Sequence, residues 1–206
     1  MFTGSAFEIV VGQSRAHPHL SRVPAQRQRC VFFDRDGVIN RSPGTGYVTT
    51  PEDFHLNDGI AELVAEIRAA GWLAIVITSQ RCVGKGLIDL ATLDVIHAKM
   101  QTELAARADA AAFDAIYAFT GLPGTEQWEK PQPGMIEQAC RDHAIEASNS
   151  VMIGDRDRDI EMADRAGVGK TIRLLAEEGY PEEVAASHTV NSIGELADTV
   201  RELLSA

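Results

Sequence analysis

Cys30-Val31-Phe32-Phe33-Asp34-Arg35-Asp36-Gly37-Val38-Ile39-Asn40 is the stretch on which the fold of this chain turns. An apolar run leads directly into two carboxylates set two residues apart, and a glycine follows at once. In an extended backbone, residues i and i+2 point to the same side. That spacing would bring Asp34 and Asp36 into one small volume at the end of a buried strand. Two carboxylates held so close repel unless a cation or a shared proton offsets the charge. Taken alone, such a pair is more often a strand that runs into an Asp-rich turn. Partners elsewhere in the chain decide between the two readings.

Outward from that strand, elements alternate. Ile60, Leu63, Val64 and Ile67 recur at helical spacing between Asp58 and Ala70, and Gly71 stops that helix. Trp72 to Ile77 is continuously apolar, as strands covered on both faces are, and it ends in Thr78-Ser79-Gln80. After a loop containing Gly84-Lys85-Gly86, Leu93, Ile96, Met100 and Leu104 mark a long helix. Ala112 to Phe119 reads as a strand, Gly121 to Glu129 as a loop, and Pro133 to His143 as a helix with proline near its start. Ser150 to Gly154 is a further buried strand, followed by Asp155-Arg156-Asp157-Arg158-Asp159. A helix from Ile160 to Ala166, a strand from Lys170 to Leu175 and a helix from Ile193 to Leu204 complete the pattern. Strands alternating with helices predict an α/β class with a mainly parallel sheet.

The 206 residues suit one domain, and 45% hydrophobic with 24% charged residues is a globular composition. A formal net charge of −11 argues against a nucleic-acid partner, because phosphate backbones demand basic patches. It leaves room for a small anionic substrate, since a bound cation inverts the local field. Cys30, Cys82 and Cys140 are odd in number and widely spaced, which argues against a disulfide framework and for a reducing cytoplasm. No apolar run is long enough to span a bilayer. Met1 to Arg29 lacks the order of a secretory signal and reads as an N-terminal extension, with the folded domain over 30–206.

The polar residues that end three apolar strands bear the chemistry: Asp34 and Asp36, Thr78 and Ser79, and Asp155 with Asp159. In open parallel sheets the carboxyl ends of strands form the ligand crevice, so these clusters should meet on one edge. Asp34, Asp36 and Asp155 then make an oxygen-rich pocket suited to Mg²⁺. An Asp is a competent nucleophile towards phosphorus. A second carboxylate can protonate the leaving oxygen and later deprotonate water. Thr78 can donate to phosphate, and Lys130 can neutralise its charge.

Asp34-Arg35-Asp36-Gly37-Val38, Thr78 after its strand, Lys130 before Pro131, and Gly154-Asp155-x-x-x-Asp159 resemble, in this order, the four motifs of the haloacid dehalogenase-like (HAD) superfamily. The resemblance runs from about Cys30 to Leu175. It implies a three-layer α/β/α Rossmann-like fold, and Asp36 points to the phosphatase side of the superfamily. The chain is most similar to the branch holding heptose-bisphosphate and histidinol-phosphate phosphatases, through Phe33 to Asn40, Gly46-Tyr47-Val48, Thr78-Ser79-Gln80, Lys130 to Met135 and Ile153 to Arg156. That branch lacks a large cap domain. It implies Asp34 as nucleophile, Asp36 as acid/base that also offers Mg²⁺ its backbone carbonyl, and Asp155 as a further Mg²⁺ ligand. Thr78, Ser79 and Lys130 would hold phosphate, with Asp159, Arg156 and Gln80 in support.

Three departures from the branch stand out. Ile116 to Glu129 contains neither Cys nor His, so no structural zinc is expected. Ser79 replaces the usual Asn, and Glu129 replaces an Arg that contacts substrate. The expected activity is a Mg²⁺-dependent phosphomonoesterase acting on a small phosphorylated metabolite. A heptose 1,7-bisphosphate or related sugar phosphate leads, and histidinol phosphate is the alternative. A nucleic-acid 3′-phosphatase is disfavoured by charge, and a non-catalytic binding protein by the filled catalytic positions. Gly167-Val168-Gly169-Lys170-Thr171 imitates a P-loop but lacks its first glycine and lies between helix and strand, the reverse of the required order. Asp157 reads as a solvated loop residue, and the six His residues match no metal spacing.

Overall fold

The computed structural model describes residues 8–11, 27–122, 124, 128–175 and 183–205. Its centre is a seven-stranded sheet with every neighbouring pair parallel. The strands are β1 (Glu8–Val11), β2 (Cys30–Phe33), β3 (Leu73–Ser79), β4 (Ala115–Phe119), β5 (Val151–Gly154), β6 (Lys170–Leu174) and β7 (His188–Val190), in the spatial order β1-β4-β3-β2-β5-β6-β7. The helices are α1 (Ile60–Ala69), the single turn α2 (Arg81–Gly84), α3 (Leu90–Arg107), α4 (Gly134–Asp142), α5 (Asp157–Arg165) and α6 (Ile193–Leu204). The opening stretch forms the central strand.

Why β2 is apolar at every position is visible in the packing. Val31 and Phe33 face one layer, with α1, α3 and α6 supplying Ile60, Leu63, Val64, Ile67, Ile96, Met100, Leu104, Leu196 and Val200. Cys30 and Phe32 face the other, where α4 and α5 supply Met135, Ile136, Ala139, Met162 and Ala163. A strand covered on both faces cannot alternate apolar with polar. Each of the large side chains contributes roughly 1.5–3 kcal/mol through burial. The layers are therefore α/β/α, as the motif resemblance implies.

Two strands and one helix have weak sequence signals. β1 sits within the N-terminal extension and pairs with β4 at the sheet edge, Glu8 opposite Ala115 and Val11 opposite Ala118. The apolar patch Phe7 to Val11 is its trace in the sequence, but four residues carry too little periodicity to tell a strand from a loop. Most of the rest of the extension lies outside the described residues. β7 is three residues long and only its last, Val190, is buried. α2 lies where a loop was expected, a single turn between Gln80 and Lys85. α5 starts at Asp157, three residues before the expected start, because the N-terminal turn of that helix is polar. Among the described residues, no helix is long and apolar enough to cross a membrane.

Candidate active site

The parallel sheet brings the ends of β2, β3 and β5 together, and the loops there carry the polar residues. Beyond Phe33 the backbone does not stay extended. The N–H groups of Val38, Ile39 and Asn40 all point to the Arg35 carbonyl, at 3.3, 2.8 and 3.1 Å, so residues 35–40 form a tight turn. The i/i+2 expectation for Asp34 and Asp36 fails at this turn. Asp34 looks into the sheet edge, and its Oδ1 accepts from Lys130 Nζ at 2.7 Å. Asp36 instead accepts from both Arg35 Nη2 contacts at 2.8 Å, from Asn40 Nδ2 at 3.0 Å and from Gln80 Nε2 at 3.0 Å.

The carboxylates that do gather are Asp34, Asp155 and Asp159, each offering an oxygen within 4.8 Å of the others. Glycines make this possible. Gly37 has φ +98, and a Cβ there would lie 2.3 Å from Asp155 Oδ2. At Gly154 a Cβ would lie 2.3 Å from the Cβ of Asp159. Lys130, fully buried, bridges Asp34 and Asp159 at 2.7 and 2.8 Å. Asp159 Oδ2 also accepts the Arg156 N–H at 3.2 Å, which ties the start of α5 to the cluster.

Electrostatics separate the four acids. Burial raises the Asp34 carboxyl above its usual range, and Asp159 adds to this, although Lys130 opposes it. Asp155 is pushed up to about 8 by burial and by the charges of Asp34 and Asp159. For Asp159 burial works the same way, but Lys130 and Arg158 outweigh it and hold the group below the usual range. Burial also raises Asp36, yet the Arg35 charge and the bonds from Gln80, Arg35 and Asn40 overcome it and keep the group ionised. Lys130 stays protonated, because Asp159 and Asp34 offset the burial that would lower it.

Both oxygens of Asp155 are buried with no hydrogen-bond partner, and the nearest cation is Arg156 Nε at 3.6 Å from Oδ2. A buried cluster of three carboxylates, with both Asp155 oxygens left unsatisfied, fits a hard divalent cation bound through oxygen.

Thr78 and Ser79, expected to hold phosphate, lie at the end of β3, beside β2, where Gln80 Nε2 links Asp36 to Thr78. Thr78 is buried and its Oγ1 accepts from Gln80 Nε2 at 2.8 Å, so its own O–H proton remains to be donated. Ser79 Oγ is buried without a partner. Arg156 reaches the Gly44 carbonyl at 3.5 Å, and Lys85 Nζ donates to the Tyr47 hydroxyl at 2.9 Å. These contacts tie the loop of residues 41–48 to α2 and to the loop after β5.

A family model described as "HAD-hyrolase-like" matches residues 127–203. The chain is 33% identical over 165 residues to the D-glycero-D-manno-heptose-1,7-bisphosphate 7-phosphatase of Thermosynechococcus vestitus, covering 75% of this chain and 81% of that one. It is 33% identical over 174 residues to the D-glycero-alpha-D-manno-heptose-1,7-bisphosphate 7-phosphatase of Burkholderia mallei, covering 81% and 90%. The chain belongs to the HAD-like phosphatases, in the heptose-bisphosphate phosphatase branch. Among solved structures, it superposes with a TM-score of 0.75 on the D,D-heptose 1.7-bisphosphate phosphatase of B. bronchiseptica, crystallised with magnesium and phosphate, at 26% identity over 85% of this chain and 99% of that one.

Several residues of this phosphatase site escape sequence reasoning. Arg158 lies half-buried beside Asp159, Asp34, Asp155 and Asp36, whose charges hold its guanidinium protonated against burial. Its place between Asp155 and Asp159, at a position the motif leaves unspecified, hid it. Arg35 is fully buried, and its Nη1 meets His97 Nε2 at 3.4 Å, so α3 supports the group that grips Asp36. Asp157 is not a solvated loop residue. It pairs with buried Arg173 and accepts from the Glu183 N–H at 2.9 Å, because it opens α5 beside β6. Glu129 pairs with Arg81 at 2.7 Å and accepts the Gly124 N–H. The loop before Lys130 is thus fastened to α2 by an ion pair.

Proposed function

We propose that this phosphatase is a Mg²⁺-dependent phosphomonoesterase that hydrolyses D-glycero-D-manno-heptose 1,7-bisphosphate or a closely related sugar phosphate through a phosphorylated Asp34. The observation that carries the reading is the Asp34–Lys130–Asp159–Asp155 cluster, with its unpaired Asp155 oxygens, in a chain of this kinship. Asp34, Asp155 and the Asp36 backbone carbonyl would hold Mg²⁺, which would supply charge neutralisation at the phosphoryl group and favour the ionised form of Asp34.

Asp34 attacks phosphorus in line, forming the carboxylate–phosphorus bond as the bond to the sugar oxygen breaks. Thr78 and Ser79 donate to the phosphoryl oxygens, and Lys130 adds positive charge while it fixes the Asp34 rotamer. Asp36 serves both half-reactions. Its ionised resting state suits the second, in which it takes a proton from water as that water attacks phosphorus and releases Asp34. In the first, the sugar oxygen must gain a proton, and a monoanionic ester can bring one to Asp36 on binding.

The test is turnover across a set of phosphorylated metabolites: heptose and hexose bisphosphates, their monophosphates, and histidinol phosphate, with Mg²⁺ present. The highest kcat/KM is expected on a heptose bisphosphate. Substitution Asp34→Asn should abolish turnover on every substrate while leaving the unfolding temperature near that of the parent. Turnover retained by that variant would sink the mechanism, and a clear preference for histidinol phosphate would overturn the substrate.

A further inference from the structure

We propose that a pocket at the amino-terminal edge of the sheet is a second binding site, built for a small polyanion such as a phosphorylated metabolite. The pocket measures about 620 Å³, within the range of small-molecule sites. Its walls come from segments that lead into strands rather than leave them. Arg27 and Arg29 precede β2, Trp72 precedes β3, Glu146 and Ser150 precede β5, and Lys170 opens β6. The catalytic residues follow the opposite ends of β2, β3 and β5. The length of β2 alone, four residues at about 3.3 Å each, separates the two edges by roughly 13 Å. This pocket is not an extension of the catalytic crevice.

Charge decides the ligand class. The chain carries a formal net charge of −11, so its surface as a whole repels anions. Here three cations meet one carboxylate. Arg27 is paired with that carboxylate, Glu146, at 3.0 Å. Among the described residues, Arg29 and Lys170 form no ion pair. The Arg29 guanidinium lies over the ring of Trp72, 4.4 Å from its centroid, and Trp72 is itself buried. That stacking holds the guanidinium in place without using its hydrogen bonds, which leaves the N–H fork for a phosphate or carboxylate. Because the Trp72 face is occupied by Arg29, the pocket offers charge and not a stacking platform for a base.

The floor is rigid. Ser150 Oγ accepts the Cys30 N–H at 3.1 Å and donates to the Glu146 carbonyl at 2.8 Å, locking the start of β2 to the start of β5. An anion bound between Arg29 and Lys170 would rest on the two strands whose far ends present Asp34 and Asp155.

Inorganic pyrophosphate is a suitable probe, titrated calorimetrically into the full chain after divalent metal has been stripped on a chelating resin, so that the catalytic carboxylates repel anions and no chelator competes in solution. Saturable binding is expected. Lys170→Glu should weaken it about tenfold or more, equivalent to about 1.4 kcal/mol, and Lys170→Arg should keep it. Lys170 is exposed and outside the catalytic machinery, so both variants should hydrolyse an aryl phosphate like the parent. That control also reports folding. Lys170→Gln, with intermediate affinity expected, gives a second reading should the glutamate variant fold poorly. Absence of saturable binding at millimolar pyrophosphate, or equal binding by the parent and the glutamate variant, would overturn the proposal.

Discussion

Substitution Lys130→Met probes the energetic centre of the site. The ammonium group has no solvent exposure and is shared by Asp34 and Asp159 at 2.7 and 2.8 Å. Methionine fills a similar volume but supplies no charge. It leaves Asp34, Asp155 and Asp159 within 4.8 Å of one another, with only Arg158 and Arg156 nearby in compensation. Removing one partner from a buried ion pair costs about 3–5 kcal/mol, because the remaining charge stays desolvated. For a chain of this size each kcal/mol moves the midpoint of thermal unfolding by about 2–4 °C. The variant in EDTA should therefore unfold roughly 6–20 °C below the parent. Two further measurements identify the cause. Adding Asp159→Asn removes one stranded carboxylate and should recover part of the loss, giving a coupling energy in a double-mutant cycle. Adding Mg²⁺ should stabilise the variant more than it stabilises the parent, since the cation replaces the missing charge. The outcome that would refute the reasoning is an EDTA midpoint within a degree or so of the parent with no recovery in the double variant.

Gly37→Ala should place its Cβ 2.3 Å from Asp155 Oδ2 in a backbone of φ +98, so kcat should fall by about two orders of magnitude or more, with roughly 1–3 kcal/mol lost from stability by denaturant titration. An unchanged kcat would show that Asp155 can move without consequence. His97 gives a pH dependence. Burial and the nearby Arg35 charge lower its pKa from 6.5 to about 3, so the folded state excludes a proton that the unfolded chain accepts. Stability from this group is full above about pH 6.5 and is lost as pH falls towards 3, amounting to about 2 kcal/mol between pH 7 and 5. Comparing urea unfolding of the parent and His97→Gln across that window should yield this difference, and parallel curves would exclude it. By contrast, Glu66→Gln breaks only the exposed Arg201 pair between α1 and α6 and should cost less than about 1 kcal/mol by the same measurement.

How much of the architecture was legible follows from how burial writes itself into a sequence. β2, β3, β4 and β5 are covered on both faces, so their apolar runs stand out without alternation. α1 and α6 present one apolar face and show helical spacing, and the bounds expected for α6 agree with the structure. The failures occur where burial is slight or local. β7 buries one residue of three, α2 is a single turn, and the start of α5 is polar because Asp157 and Asp159 serve Arg173, Lys130 and the helix N-terminus. None of these leaves a periodic trace.

The site was legible in composition but not in its internal wiring. Three strand ends announced acids and hydroxyls on one edge, which topology alone guarantees. Which acids touch is a question of turn geometry, and a two-residue spacing answers it only while the chain stays extended. Residues 35–40 curl around the Arg35 carbonyl, so Asp36 leaves the carboxylate cluster and Asp159 takes its place. That exchange has a chemical consequence. Had Asp34 and Asp36 shared one volume, their mutual repulsion would have coupled their titrations and strongly raised one of the pair. Turned apart, Asp34 is governed by burial, Lys130 and Asp159, while Asp36 answers to Arg35, Gln80 and Asn40. The turn therefore lets two carboxylates two residues apart be shifted in opposite directions, Asp34 upward and Asp36 downward, each by its own neighbours.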